Sequence, residues 1–361
     1  MKAFRPEVLA LRAYSMEEPA LPVKANQNES PWDWPKELKR EALARLAATP
    51  FHRYPAFRGS RLASLLCERW ELPEGSCLLG NGSNELLSAL FSSCLCEGRT
   101  GLLPSPSFSL YRQLALLSRG DVREVPLSED LTYDAESWLD ALDRVRPAVA
   151  LVCSPNNPTG SLLSLADLER LLDRAPGIVA VDEAYGEFSG IPSAATLLPG
   201  RENLVVLRTF SKAWGSAALR LGYALAQPRV TEQVSKALLP YNVSPLALAL
   251  GEAALSRREF FEGRVRDLIR GRSELFEQIV GIEGLRAYPS AANFILVRLQ
   301  NLEAADVHSA LKSRGVLVRD VSAHPALRRC LRISVGTPSE DAAVVEALKE
   351  VVACPAPTSM P

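Results

Sequence analysis

Four short segments of this sequence carry side chains whose types and spacing could do chemistry. Gly80-Asn81-Gly82-Ser83-Asn84-Glu85 follows an apolar run and opens a helical pattern. Small residues there let backbone N–H groups approach an anion at a helix N-terminus, where the dipole favours negative charge. On its own, this segment is more readily explained as an ordinary glycine turn. Ser154-Pro155-Asn156-Asn157-Pro158-Thr159-Gly160 follows the apolar run 149–153 and places two amides in a proline-framed turn at a strand's carboxyl end. Open α/β sheets bind ligands at such ends. Val181-Asp182-Glu183-Ala184-Tyr185 ends another apolar run, with Asp182 and Tyr185 spaced to face one ligand or with Asp182 capping the next turn. Arg208-Thr209-Phe210-Ser211-Lys212-Ala213-Trp214 sets one lysine in an apolar neighbourhood, and no lysine occurs between Lys39 and Lys212. Desolvation lowers the pKa of such an amine and suits it to Schiff-base chemistry.

Together, in this order, the segments resemble the fold type I aminotransferases that use pyridoxal 5′-phosphate (PLP), and among them the histidinol-phosphate aminotransferase family. The resemblance runs from Asn26-Gln27-Asn28-Glu29-Ser30-Pro31, through Arg53-Tyr54-Pro55, to Leu331-Arg332-Ile333-Ser334-Val335-Gly336-Thr337. It implies an α/β fold: a large domain with a mostly parallel central sheet flanked by helices, and a smaller α+β domain. It implies Lys212 as the Schiff-base lysine and proton shuttle, and Asp182 as the partner of the cofactor's ring nitrogen. Asn157 and Tyr185 match the residues that bond the cofactor's 3′ oxygen. Arg220, Ser211 and the amides near Ser83 and Asn84 match its phosphate site, and Phe108 matches the position of an aromatic ring stacked on it.

On the substrate side, Arg332 matches the arginine that grips an α-carboxylate and Arg319 the one that meets a distal phosphate. Tyr14 and Asn28 match substrate-side positions of the N-terminal arm. Tyr54 matches a tyrosine that reaches the phosphate of a neighbouring subunit, which implies a homodimer with shared sites. The implied reaction interconverts L-histidinol phosphate and imidazole acetol phosphate with glutamate/2-oxoglutarate, in a ping-pong sequence through Lys212. Same-scaffold alternatives are an aromatic amino acid aminotransferase, a threonine-phosphate decarboxylase and a non-catalytic PLP-binding regulator. The last usually carries a DNA-binding module, and no such segment precedes Asn26. Two positions depart from the family pattern: Ala218 stands where glycine is usual, which strains the chain if φ is positive there, and Asn84 replaces a more usual aspartate.

The elements that must position these residues are legible as alternating apolar runs and helical patterns, the mark of a largely parallel α/β sheet. Strands are predicted at 77–80, 100–103, 122–125, 149–153, 178–181, 205–209 and 221–225, and helices at 85–94, 111–119 and 165–174. Ser164 reads as the N-cap of the last, with Asp167 three residues on. One long helical stretch is expected over 245–280. Strands follow at 293–298, 316–319 and 331–335, and helices at 304–314 and 339–352. The expected division is an arm that includes part of the small domain (1–40), a large cofactor domain (41–245), a small α+β domain (246–353) and a flexible tail (354–361).

The chain's 361 residues, 47% hydrophobic and 23% charged, place it among ordinary globular proteins. Its formal net charge of −1 argues against a nucleic-acid binder driven by bulk charge. Seven scattered cysteines and three histidines argue for free thiols in a reducing, cytoplasmic setting and against a metal centre. Neither a membrane span nor a secretory leader is expected.

Overall fold

The computed structural model describes residues 3–11, 13, 19–55 and 60–353. Along the chain the strands are β1 (Val23–Ala25), β2 (Cys77–Gly80), β3 (Thr100–Ser105), β4 (Asp121–Pro126), β5 (Val149–Cys153) and β6 (Ile178–Asp182). They continue with β7 (Leu204–Thr209), β8 (Gly222–Ala226), β9 (Leu285–Tyr288), β10 (Phe294–Leu299), β11 (Val316–Asp320) and β12 (Cys330–Ser334). Seven of them form one sheet in the order β2-β8-β7-β6-β5-β3-β4. Only β8 runs against its neighbours, while β3 to β7 pair in parallel.

The apolar runs explain the central strands. Side chains alternate across a strand, so a strand covered on both faces must be apolar at every position. Val149 and Leu151 of β5 pack with Leu86, Leu90 and Phe91 of the helix Ser83–Cys94 on one face. Ala150 and Val152 pack with Leu168, Leu171 and Leu172 of the helix Leu165–Arg174 on the other. That second helix starts where the sequence places its cap, with Ser164 Oγ accepting from the Asp167 N–H at 3.0 Å.

The other five strands form a smaller sheet in the order β1-β11-β12-β10-β9. β1 comes from the N-terminal arm and pairs in parallel with β11, Val23 opposite Val316. β11 and β12 are antiparallel, and their register sets Arg319 directly opposite Arg332.

The structure corrects several expected elements. The helical stretch over 245–280 is two helices, Pro245–Ser256 and Arg258–Val280, because Arg257 leaves helical geometry (φ −115°, ψ 30°). Its guanidinium reaches Glu41 at 3.3 Å. β3 runs on through Pro104 to Ser105 alongside β4. The helices Lys36–Ala47, Arg61–Arg69, Ala135–Val145 and Pro228–Ser235 and the strands β1 and β9 go beyond the sequence reading. Ala218 is free of the expected strain: the left-handed residue is Arg220, with φ 51°. Among the described residues no helix is long and apolar enough to cross a membrane, and no group of three or more metal-ligating side chains occurs.

Candidate active site

A cavity of about 770 Å³ opens between the two sheets. One wall consists of the segments that follow β2, β3, β5, β6 and β7 at their carboxyl ends. The other is made by β11, β12 and residues 26–29 of the arm. Ser83, Asn84, Phe108, Asn157, Asp182, Tyr185, Ser211, Lys212, Arg220, Arg319, Arg332 and Asn28 all line it. Two expected residues are not among them. Tyr14 lies outside the described residues. Tyr54 is 80% exposed and stacks on Tyr241 at 4.5 Å, away from this cavity.

Lys212 sits in the turn after β7, where its Nζ donates to the Gln27 carbonyl at 2.7 Å. Burial, and after it the Arg332 guanidinium, pushes the Lys212 ammonium down to about 7. An amine so placed is largely neutral in mildly alkaline solution and able to act as a nucleophile. Asp182 ends β6 and is 5% exposed. Its Oδ1 accepts from the Ala184 N–H at 2.9 Å and its Oδ2 from the Tyr111 hydroxyl at 2.8 Å. Burial pushes its carboxyl upward, and these two donors oppose the push.

The two asparagines of the proline turn divide their work. Asn156 is fully buried and structural: its amide donates to Pro106 O and Thr159 Oγ1, and its oxygen accepts from Ser107 Oγ. Asn157 faces the cavity, its oxygen accepting from Arg332 Nη1 at 2.6 Å. Arg332 Nη2 donates to Asn26 O, also at 2.6 Å. Tyr185 stands edge-on to Phe294 at 5.1 Å, and its hydroxyl accepts from Asn28 Nδ2 at 3.0 Å. Burial holds the Tyr185 phenol up at about 12. Asn28 adopts φ 54° and is pinned to β12, its backbone N–H donating to Ser334 Oγ and its side-chain oxygen accepting from that hydroxyl. Three consecutive arm residues thus hold Arg332, Lys212 and Tyr185.

At the other end of the cavity the glycine segment brings a guanidinium onto a helix start. Gly82 has φ 83°, and a Cβ there would come within 2.6 Å of Arg220 Nη2. A Cβ on Gly222 would meet the Ser83 nitrogen at 2.4 Å. Arg220 Nη1 also lies 3.4 Å from Ser211 Oγ. A guanidinium, a hydroxyl and the first amides of the helix Ser83–Cys94 therefore converge on a cradle suited to a phosphate.

Several contributors are absent from the sequence reading. Tyr111, three residues after Phe108, reaches Asp182; a buried tyrosine hydroxyl needs a partner, which was the available signal. The carbonyls of Asn26 and Gln27 leave no mark in residue type. Behind the site, Arg208 is buried between Glu183 and Glu187, 2.9 Å from the latter, and lies over the Trp70 ring at 4.9 Å. Glu187 also accepts from Trp214 Nε1 at 3.3 Å.

Comparison with known proteins agrees with this arrangement. Residues 22–348 match the family described as aminotransferase class I and II. A histidinol-phosphate aminotransferase of Chlorobaculum tepidum is 39% identical over 333 residues, 91% of this chain and 94% of that one. Histidinol-phosphate aminotransferase 2 of Bordetella parapertussis is 37% identical, covering 97% of this chain and 96% of its own. Among solved structures, the histidinol-phosphate aminotransferase of Sinorhizobium meliloti in complex with pyridoxal-5′-phosphate superposes with TM-score 0.86 at 22% identity, covering 98% of both chains. The L-threonine-O-3-phosphate decarboxylase of Porphyromonas gingivalis gives 0.81 at 24%, covering 92% of this chain and 100% of that one, a likeness of fold. The chain, with its mostly parallel sheet flanked by helices and its lysine-bearing cavity, belongs to the aminotransferase class I and II family.

Proposed function

We propose that this protein is a PLP-dependent transaminase that interconverts L-histidinol phosphate and imidazole acetol phosphate, with glutamate/2-oxoglutarate as the second pair. The observation that carries the reading is the register of β11 and β12. It sets Arg319 opposite Arg332, and both line the cavity that holds Lys212. Two guanidiniums on neighbouring strands suit a dianionic phosphate, and one of them suffices for a carboxylate.

The cavity fits the cofactor. Arg220, Ser211 and the amides at Ser83 and Asn84 form the cradle for its phosphate. Asp182 is a buried carboxylate suited to a cationic ring nitrogen, Phe108 offers a ring face, and Lys212 is the amine that would hold its aldehyde carbon. When bound, PLP supplies a ring that takes up the electron pair left on the substrate's Cα. Lys212 Nζ moves the proton at that Cα, its low proton affinity letting it both accept and return one near neutral pH. Asn157, its oxygen held by Arg332, and Tyr185, its hydroxyl oxygen held by Asn28, keep donors that would serve the cofactor's ring oxygen. Arg332 and Arg319 would anchor the substrate anion and so orient its Cα–H bond for Lys212.

The same reading makes the protein a homodimer with shared sites. Tyr54, stacked on Tyr241, is 80% exposed, and Leu239, which lines a surface pocket with Tyr241, is 75% exposed. Large apolar side chains grouped on one face mark an interaction surface, and a second copy of this chain would bring its Tyr54 to the phosphate cradle. The buried free thiols of Cys67, Cys77, Cys153 and Cys330 suit a reducing cytoplasm.

The test is a half-reaction panel on PLP-loaded protein with L-histidinol phosphate, phenylalanine, tyrosine and threonine phosphate, identifying every product, with sedimentation equilibrium on the same preparation. The reading expects fastest loss of the bound-cofactor band with histidinol phosphate, a keto product, and a dimer. Carbon dioxide from threonine phosphate, or faster turnover of the aromatic amino acids, overturns the substrate assignment. A monomer overturns the shared site.

A further inference from the structure

The hydroxyl of Tyr111 lies 2.8 Å from Asp182 Oδ2 and 3.0 Å from Cys153 Sγ, in a buried corner of the cavity wall. It has one proton to give. The carboxylate is the stronger acceptor, and the Cys153 thiol has the Pro155 carbonyl, 3.4 Å away, to donate to instead. The ring of the same tyrosine stands edge-on to Phe108, with centroids 5.5 Å apart at 88°. One side chain therefore braces two segments of the large-sheet wall, those at the carboxyl ends of β3 and β6.

We propose that Tyr111 is the positioning residue of Asp182: its hydroxyl fixes the carboxylate's plane and keeps it anionic opposite the cofactor's ring nitrogen. This rests on the reading of Asp182 as the partner of that nitrogen. The Ala184 N–H orients Oδ1 from the strand's own turn, and Tyr111 orients Oδ2 from the helix Leu110–Leu117. Two donors from separate elements leave the carboxylate no rotational freedom. Tyr111 is also the side-chain donor that offsets the upward push of burial and of neighbouring Glu183 on Asp182. Cys153, Tyr133 and Tyr185 also lie within electrostatic reach of Asp182, and burial holds all three above their ordinary values, hence neutral. Removing the Tyr111 hydroxyl raises the proton affinity of Asp182 and weakens its hold on a protonated ring.

Tyr133 provides the control. It too is a tyrosine whose hydroxyl bonds at the end of β5, donating to Cys153 O at 2.6 Å, but it makes no hydrogen bond to Asp182. The experiment compares PLP-loaded wild type, Y111F, Y133F and D182N. It measures the pH midpoint of the bound cofactor's visible band, the PLP dissociation constant by equilibrium dialysis, and kcat and KM for histidinol phosphate. Y111F should move the midpoint by about one pH unit in the direction of D182N and raise the dissociation constant about tenfold. Its kcat should fall about tenfold with KM within about twofold of wild type. Y133F should lower the unfolding midpoint and leave the other readouts in place. Difluorotyrosine incorporated at position 111, a stronger donor of nearly the same shape, should move the midpoint the opposite way, which settles the matter even if Y111F does not fold. A Y111F or difluorotyrosine protein that titrates like wild type, or a Y133F protein that shifts as much as Y111F, overturns the proposal. A wild-type protein with no visible band, or a D182N protein that titrates unchanged, contradicts the reading of Asp182 itself.

Discussion

The two walls of the cavity are built in opposite ways. The large-sheet wall takes its side chains from consecutive strand ends, each one or a few residues beyond an apolar strand covered on both faces. Its groups are fixed from behind: Asp182 by Tyr111 and Ala184, and the turns beyond β6 and β7 by the buried Arg208 between Glu183 and Glu187. The small-sheet wall is assembled from two strands near the C-terminus and a loop some 300 residues earlier, joined by Asn28 to Ser334 and Asn26 to Arg332. Neighbouring residues Asp182 and Glu183 show the contrast at its closest. Glu183 is compensated by a guanidinium and by the Ala194 N–H at 2.6 Å, whereas among the described residues Asp182 has neutral hydrogen-bond donors alone. A buried carboxylate left without a cation at a cavity wall is the one equipped to receive a cationic ligand. On the proposed function, the large-sheet wall would hold chemistry common to a reaction class, and the small-sheet wall would select the anion on which it acts.

Substitutions that divide the walls test that division. The largest effect belongs to Lys212. K212M should lower turnover by on the order of 10⁵–10⁶-fold for every substrate alike, the scale seen when a covalent nucleophile is removed, and stopped-flow assays should find no substrate that escapes the loss. Next is the clamp behind that wall. R208M strands the buried Glu183 carboxylate and the partly buried Glu187 and should destabilise the protein by about 3–5 kcal/mol, read as a lower urea midpoint with the preference among substrates unchanged. A change in that preference would blur the two walls. The smallest effect is on the cofactor-free protein. The Lys212 pKa is about 7 in the fold against 10.5 for a free side chain, so the unfolded chain binds more protons between those values and wild-type stability rises with pH across that window. The thermal midpoint of K212M should therefore exceed that of wild type below about pH 7, with the gap closing toward pH 10.5. A gap that widens with pH would mean that Lys212 is not held neutral by burial.

The large-sheet wall was legible in the sequence because local rules govern it. Covered parallel strands read as unbroken apolar runs at 149–153 and 178–181, and the residues just beyond them are among those the cavity displays. Asp182, Asn157 and Lys212 could therefore be singled out from strings and spacing, whereas the place of Arg220 rested on the family resemblance. What escaped depends on long-range packing. The three-residue β1 has no periodicity of its own and exists because β11 lies beside it. The carbonyls of Asn26 and Gln27 act through the backbone, which residue identity does not encode. Asn156 and Asn157 look alike in sequence, and the turn alone decides which one is buried. At Ala218 the motif drew attention to one position while the left-handed conformation falls two residues later, at Arg220. The break at Arg257 falls inside an uninterrupted helical pattern and accompanies a bond to Glu41, 216 residues away.

The central claim, that the paired arginines of the small-sheet wall select a phosphorylated substrate, is tested most directly by R319A. The variant leaves Lys212, Asp182 and Arg332 in place, and kcat/KM is measured for L-histidinol phosphate and for phenylalanine in one preparation. Loss of a charged partner from a dianion site is worth about 10²-fold or more, so kcat/KM for histidinol phosphate should fall by that factor while phenylalanine changes less than about threefold. Equal losses for the two substrates would contradict the account, because Arg319 would then serve the site as a whole and not the phosphate.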